Sequence, residues 1–323
     1  MKTEILITRT ARKNLTETKF IPAIGIAGQL LKRAGYFGAV ILICSSASAQ
    51  NLIVSGRDAS GGEIYKFSWD GVHSIFASGL TDPWELAFDS VGNLFVMDYD
   101  RSGLLGNAAI YKIAANGTRT TFAAGLSYPS YLAADKAGNL FVADYERGVI
   151  YKYKPNGSRA TFASGLYHPV GLAFDSAGNL FVVDNNIGNI HQGSIYQYKP
   201  DGSRITFAAL GPSDRPTDLA FNSMGNLLMA DRGGNIYRYD PSGVLRRQGV
   251  RTTFGSVPNS AQSLVLDNAG NLFVVDAGDV KGKGNAIYKF TPQGARSSFA
   301  SGQALGESFA CLVLEPMLPA CCQ

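Results

Sequence analysis

The segment GNLFVVD occurs twice without change, at Gly178 to Asp184 and Gly270 to Asp276, and near copies begin at Gly92 (GNLFVMD), Gly138 (GNLFVAD) and Gly225 (GNLLMAD). The five glycines stand 46, 40, 47 and 45 residues apart. Repetition at this period restricts the chain to a repeat architecture, because one unit cannot bury its own apolar surface and must stack on its neighbours. A period of about 40 to 50 residues is that of one four-stranded propeller blade.

The same pieces follow in order within each unit, as in PVGLAFDSAGNLFVVD, SIYQYKPDGS and RITFAAL. Short apolar or alternating runs are split by Asp, Gly, Asn and Pro clusters and carry no helical period, which predicts four strands per unit, here A to D in chain order. The linkers of DSAGN type between A and B, and of KPDGS or KPNGS type between C and D, supply residues that tolerate positive φ or bond their own backbone in tight hairpins. The stretch Gln50 to Val54 reads as a strand B with no strand A before it, and CLVLE, Cys311 to Glu315, reads as a strand A with no strand B after it. Paired together they complete one blade and cover both open edges. The expected fold is all-β: a six-bladed β-propeller of four-stranded blades over residues 50–316, its ring closed by pairing the C-terminal strand with the N-terminal strands.

Residues 1–49 differ in kind. They hold seven Lys and Arg against two acids, then the apolar run AGYFGAVILIC from Ala34 to Cys44, then SSASA with Ala47 and Ala49 spaced for cleavage. This reads as a secretory signal peptide. The run is shorter than the roughly 20 residues that span a bilayer, so no transmembrane helix is expected after cleavage and the protein is expected to be secreted or periplasmic. The rest of the chain keeps 22 basic and 23 acidic residues, a net of −1. That balance removes the case for a nucleic-acid partner or an anionic membrane. Three cysteines remain, Cys311 and the pair Cys321 and Cys322 in a tail at 317–323. A bridge from Cys311 to the tail and a small buried Cys311 are both open readings, and no zinc-ligand spacing is present.

Asp98, Asp144, Asp184, Asp231 and Asp276 end strand B in five units, with Gly56 at that place in the composite blade. A catalytic group is needed once, not five times. A carboxylate at a strand end is expected to accept backbone N–H groups of the adjoining loops, and function is to be sought where the copies differ.

The chain of LAFDSAGNLFVVD units with IYKYKPNGS hairpins resembles the NHL-type six-bladed propellers, and more loosely the gluconolactonase-like propellers and the streptogramin lyases. The resemblance covers nearly everything after Gln50. It implies the propeller fold; propellers of this kind include enzymes and pure binding platforms alike.

Two loops per blade vary, B to C and D to the next A, and both lie on one face. From the strand-B Asp to the Ile of the IYKY motif the span runs from 5 residues (Asp231 to Ile236) to 12 (Asp98 to Ile110). Variable loops on a rigid ring form the expected binding surface, and its candidate ligand-binding residues are Trp84, Glu85, Tyr131, Tyr145, His168, Arg215, Asp218 and Arg232. Aromatic and arginine side chains there suit a small polar molecule, a glycan or a protein partner.

At the start of strand A, Glu85, Tyr131, Gly171, Asp218, Ser263 and Cys311 occupy equivalent positions around the ring. Glu85 and Asp218 are three blades apart and therefore face each other across the axis. Three readings are open: they hold a divalent cation such as Ca²⁺ on the propeller axis, they are paired by Arg215 and Arg232, or they are solvated channel acids.

The resemblance to gluconolactonases implies a Glu, Asn and Asp set one residue earlier on strand A. Here those places hold Trp84, Ser130, Val170, Thr217, Gln262 and Ala310, with no carboxylate. The resemblance to the lyases implies histidines and an acid around Mg²⁺, and this chain has only His73, His168 and His191, of which His168 alone is placed near the channel mouth. No catalytic residue is assigned. The leading expectation is a non-enzymatic binding platform. The alternatives are a divalent-metal-dependent hydrolase of the gluconolactonase type with a relocated site at Glu85 and Asp218, and a lyase using His168.

Overall fold

The computed structural model describes residues 50–57, 61–100, 108–185, 193–240, 251–278, 285–301 and 308–316, together with 4–5 and 21–22. The chain divides into two compact units, Met1–Ala49 and Gln50–Gln323. In the first, Glu4–Ile5 pairs with Ile21–Pro22 in a two-residue antiparallel ladder. The expected signal peptide otherwise lies outside the described residues, as do the tail at 317–323, Cys321 and Cys322. No helix among the described residues is long and apolar enough to cross a membrane.

The second unit is six four-stranded antiparallel sheets, each ordered A-B-C-D. Blade 1 is Ser308–Leu314, Leu52–Arg57, Gly62–Phe67 and His73–Leu80; blade 2 is Pro83–Phe88, Leu94–Tyr99, Ala108–Ile113 and Arg119–Leu126. Blade 3 is Pro129–Ala134, Leu140–Asp144, Val149–Tyr153 and Arg159–Ala163; blade 4 is Pro169–Phe174, Leu180–Asp184, Ser194–Tyr198 and Arg204–Ala209. Blade 5 is Pro216–Phe221, Leu227–Asp231, Asn235–Tyr239 and Arg251–Ser256; blade 6 is Ala261–Leu266, Leu272–Asp276, Ala286–Phe290 and Arg296–Ser301. The composite blade pairs as expected, with Leu312 opposite Val54 and Leu314 opposite Leu52. Beyond the ladder, Glu315 N–H donates to Asn51 O at 2.9 Å, and its carboxylate takes Asn51 Nδ2 and Lys66 Nζ.

The apolar continuity of GNLFVVD follows from the packing. Side chains alternate along a strand, and both faces of a blade are covered. In blade 4, Leu180 and Val182 join the core shared with blade 3, whereas Phe181 and Val183 join the core shared with blade 5. Six such cores occupy the six junctions between neighbouring blades, the one between blades 6 and 1 included. Truncating a side chain such as Phe181, 4% exposed, is expected to cost about 3 to 5 kcal/mol.

The hairpins work as their residues suggest. In the blade 4 A–B turn, Asp175 Oδ1 accepts Asn179 N–H at 2.8 Å, Oδ2 accepts Asn179 Nδ2 at 2.8 Å, and Gly178 takes φ +84°. A device on the outer strands was not read from the sequence. The arginine that opens strand D lies over a strand-C tyrosine in five blades: Arg119 over Tyr111, Arg159 over Tyr151, Arg204 over Tyr196, Arg251 over Tyr237 and Arg296 over Tyr288. In blade 1 His73 takes that place beside Tyr65, which gives this histidine a packing role.

Candidate functional site

Strand A enters each blade through a register shift against strand B, for example between Pro129 and Tyr131 and between Pro216 and Asp218. Such a bulge re-aims the side chains beside it. It separates the residues that link blades at the rim from those that project to the axis. Among the former, Ser130 Oγ donates to Pro169 O and Thr217 Oγ1 to Ala261 O, both at 2.6 Å, and each bond joins one blade to the next. Trp84 belongs to the same layer. It is half-buried, its carbonyl accepts Ser55 Oγ at 3.2 Å, and Arg57, paired with Asp82 at 2.6 Å, lies over its ring.

The axial residues form one connected network. Asp218 is fully buried. Its Oδ1 accepts the Tyr131 hydroxyl and Leu219 N–H (2.5 Å), and its Oδ2 accepts Ser263 Oγ (3.1 Å) and Leu264 N–H (2.7 Å). Ser263 Oγ reaches Cys311 Sγ at 3.7 Å, and that thiol donates to Glu85 Oε1 at 3.3 Å. Tyr131, Asp218, Ser263, Cys311 and Glu85 thus link blades 3, 5, 6, 1 and 2. Tyr131 reaches two blades along, to blade 5, while blade 4 has Gly171 at the equivalent position, packed against Asp218 Cα at 3.5 Å from where a Cβ would stand. Cys311 is a free, buried thiol.

These contacts correct the expectation of solvated channel acids, since Glu85 is 5% exposed and Asp218 0%. Burial is the main cause that pushes Asp218 up to about 7, against the lowering effect of the backbone N–H groups of Leu264 and Leu219 and the Ser263 hydroxyl. Burial, and then the charge of Asp218, holds Glu85 well above the usual carboxylate range. Burial likewise raises the Cys311 thiol, and the two carboxylates add to it. Arg215 and Arg232 are both exposed, and neither enters an ion pair with Glu85 or Asp218 among the described residues. The four hydrogen bonds into Asp218 already engage both its oxygens. No group of three or more His, Cys, Asp or Glu suited to a metal occurs among the described residues.

At the loop face the strand-B carboxylates do what their recurrence suggests. Asp184 Oδ1 accepts the N–H groups of Tyr167 (2.8 Å) and His168 (2.9 Å), Asp98 those of Thr81 and Asp82, and Asp276 those of Asn259 and Ser260. Asp231 takes Arg215 N–H at 2.7 Å and Gly233 N–H at 2.6 Å. Asp144 differs in holding Arg147, by backbone and guanidinium, within its own B–C loop. The residue after each Asp then donates its N–H to the loop entering strand A: Tyr99 to Asp82, Tyr145 to Tyr128, Asn185 to His168, Arg232 to Arg215 and Ala277 to Ser260. The frame is constant and the side chains on it vary.

On that frame the structure assembles an aromatic row across blades 2, 3 and 4. Ring centroids run Tyr99 to Tyr128 at 6.4 Å, Tyr128 to Tyr145 at 5.7 Å and Tyr145 to His168 at 4.2 Å, the last pair stacked within 15°. Tyr167, 46% exposed, stands edge-on to His168 at 5.5 Å. Of the expected ligand-binding residues, Tyr145, His168, Arg215 and Arg232 lie on this face, whereas Glu85, Tyr131 and Asp218 lie in the buried axial network and Trp84 in the rim. Tyr128 was missed because the equivalent place changes character from blade to blade, with Asp82, His168, Arg215 and Ser260 standing there. His191 lies outside the described residues.

No protein-family model and no curated protein matches the sequence. Solved structures do match it. A gluconolactonase from Xanthomonas campestris shares 16% identity at TM-score 0.57 over 78% of this chain and 84% of its own. A virginiamycin B lyase from Staphylococcus aureus, solved in an inactive form with quinupristin, shares 14% at TM-score 0.56 over 84% and 94%. A protein from Bacteroides caccae shares 15% at TM-score 0.59 over 83% of this chain and 100% of its own. At these identities the likeness is one of fold: the chain is a six-bladed β-propeller of the architecture that streptogramin-type lyases and gluconolactonases also use.

Proposed function

We propose that the protein is an exported, secreted or periplasmic, binding platform that takes a small polar ligand, a glycan or a partner protein on its variable-loop face. The observation that carries this reading is the contrast in hydrogen bonding. The axial acids are engaged with Tyr131, Ser263, Cys311 and backbone N–H groups, while the loop face holds aromatic rings and two arginines that form no ion pair among the described residues, on a rigid frame. Preformed concave or rimmed surfaces with aromatic bodies and a few polar groups are the usual form of ligand sites. A thermal-shift screen with sugars and peptides tests it. Ligands found with the native chain are expected to be lost in a Tyr145→Ala, His168→Ala variant and kept in Glu85→Gln. The reverse pattern would put the site on the axis and end the platform reading.

A second reading, a divalent-metal-dependent hydrolase with its site at Glu85 and Asp218, is favoured by the fold shared with a gluconolactonase. The residues present do not fit a bound cation as they stand, because Asp218 is saturated and no third ligand joins the pair among the described residues. Elemental analysis of the purified chain after mild dialysis, set beside a Glu85→Gln, Asp218→Asn variant, separates the readings. Near-stoichiometric Ca²⁺, Mg²⁺ or Zn²⁺ lost in the variant would support the hydrolase.

A further inference from the structure

We propose that the loop face of blades 3 to 5 is a subsite for an acidic glycan, a chain of sugar rings carrying carboxylates, with the rings laid on the tyrosine and histidine row and a carboxylate held by Arg215 and Arg232. The proposal deepens the platform reading and rests on it.

Three equivalent loop pairs build the subsite. Blade 3 presents Tyr128 with Tyr145, blade 4 His168 with Asn185, and blade 5 Arg215 with Arg232, each joined by the same backbone hydrogen bond. The three pairs are consecutive around the ring, so the face changes from aromatic to cationic in one direction. A ligand matched to it must carry flat, partly apolar rings at one end and an anion at the other. Several rings follow one another in the row, which suits a chain of rings better than a single one. Tyr145 and His168 cover each other's facing surfaces, so a sugar meets the outer sides and polar tips of the row, and side chains with an apolar body and a hydrogen-bonding end match a ring that is itself part apolar and part hydroxyl.

The arginines are free for this role. Asp231 holds the backbone of Arg215 and of Gly233, yet neither guanidinium forms an ion pair among the described residues, in contrast to Arg57, Arg147 and Arg251. Burial raises the Tyr145 hydroxyl, and the charge of Arg232 is the largest influence that lowers it, in keeping with a cation near the end of the row. Planar guanidinium forks match carboxylate geometry. A nucleic-acid strand would also stack on aromatics, but its affinity needs many basic phosphate contacts, and the chain beyond residue 49 has a net charge of −1.

The test is titration calorimetry of the full chain with oligogalacturonate and oligomannuronate, each set beside its methyl ester, which keeps the rings and removes the charge. The acidic oligomers are expected to bind at least tenfold more tightly than the esters, with an affinity that falls as salt rises. Arg215→Gln, Arg232→Gln is expected to bring the acids down to the ester level, and Tyr128→Ala, Tyr145→Ala to weaken both forms. Circular dichroism and unchanged melting confirm that each variant is folded. Equal affinity for acid and ester, or acid binding indifferent to the arginine variant, overturns the proposal. So does the absence of binding by all four oligomers. In that last case peptide or neutral-sugar hits lost in Tyr145→Ala, His168→Ala would leave the platform reading standing, and their absence would remove both.

Discussion

Two sets of carboxylates in this molecule share a residue type and little else. Asp98, Asp184, Asp231 and Asp276 sit at the loop face, recur from blade to blade and each tie down the N–H groups of a neighbouring loop. Glu85 and Asp218 sit at the axis, occur once each and are buried among side chains drawn from other blades. The recurrent acids are reproduced by the repeat and serve each blade. Asp218 joins blade 5 to blade 6 and, through Tyr131, to blade 3 two places along, while Glu85 joins blade 2 to blade 1, so the singular acids belong to the ring as a whole. Recurrence thus separates local scaffolding from whole-molecule cohesion.

The comparison can be broken first at Asp218. Removing its carboxyl in Asp218→Ala strands two backbone N–H groups and two hydroxyls in the interior, at about 1 to 3 kcal/mol each. A loss of more than about 3 kcal/mol in urea unfolding is expected, and Asp218→Asn, which keeps an acceptor, is expected to lose less. Equal damage by both variants would show that the acceptor geometry is not what holds the axis.

The pH dependence of stability sharpens it next. The folded pKa of Asp218 lies at about 7, above the ordinary 3.8, so the native state binds more protons than the unfolded state between these values. This contribution is fully present below pH 3.8 and is lost as pH rises through about 7. Glu85 is shifted the same way. Melting followed from pH 4 to pH 8 is expected to fall more steeply in the native chain than in Asp218→Asn, and parallel curves would refute the assignment.

A loop-face acid is expected to matter less. Asp184→Ala releases the N–H groups of Tyr167 and His168 at about 1 to 2 kcal/mol, and hydrogen exchange should rise at those two amides while the axial amides of Leu219 and Leu264 stay protected. Smallest is the outer pair of Arg159 and Tyr151, 4.7 Å from guanidinium to ring centroid. Arg159→Ala is expected to cost about 0.5 to 1 kcal/mol, measured in the same denaturant series.

Much of this was legible in the sequence, and the reason is the repeat. Five copies of one segment set the blade period, and two unmatched fragments showed how the ring closes. The strand-B acids were readable as scaffolding because a fivefold residue cannot be the single catalytic one. The axial positions of Glu85, Tyr131, Asp218, Ser263 and Cys311 were equally readable by alignment of the units. What alignment withholds is how far a side chain reaches. Tyr131 and Asp218 are 87 positions apart in the chain, and their contact depends on the length of a tyrosine side chain. The aromatic row was hidden in the same way: Tyr128 and Tyr145 look like isolated loop residues until the backbone bond between them brings their rings side by side.

The composite blade has a consequence for the order of events during synthesis. Leu52–Arg57 leaves the ribosome before every other strand of the ring, and its partner Ser308–Leu314 leaves after all of them. Blades 2 to 6 each carry four consecutive strands and can assemble as they emerge, but blade 1 keeps an open edge and an uncovered core face until the last strand arrives. The nascent chain therefore presents an adhesive edge from the first strand of the ring to the last, and its single closing step follows every other pairing.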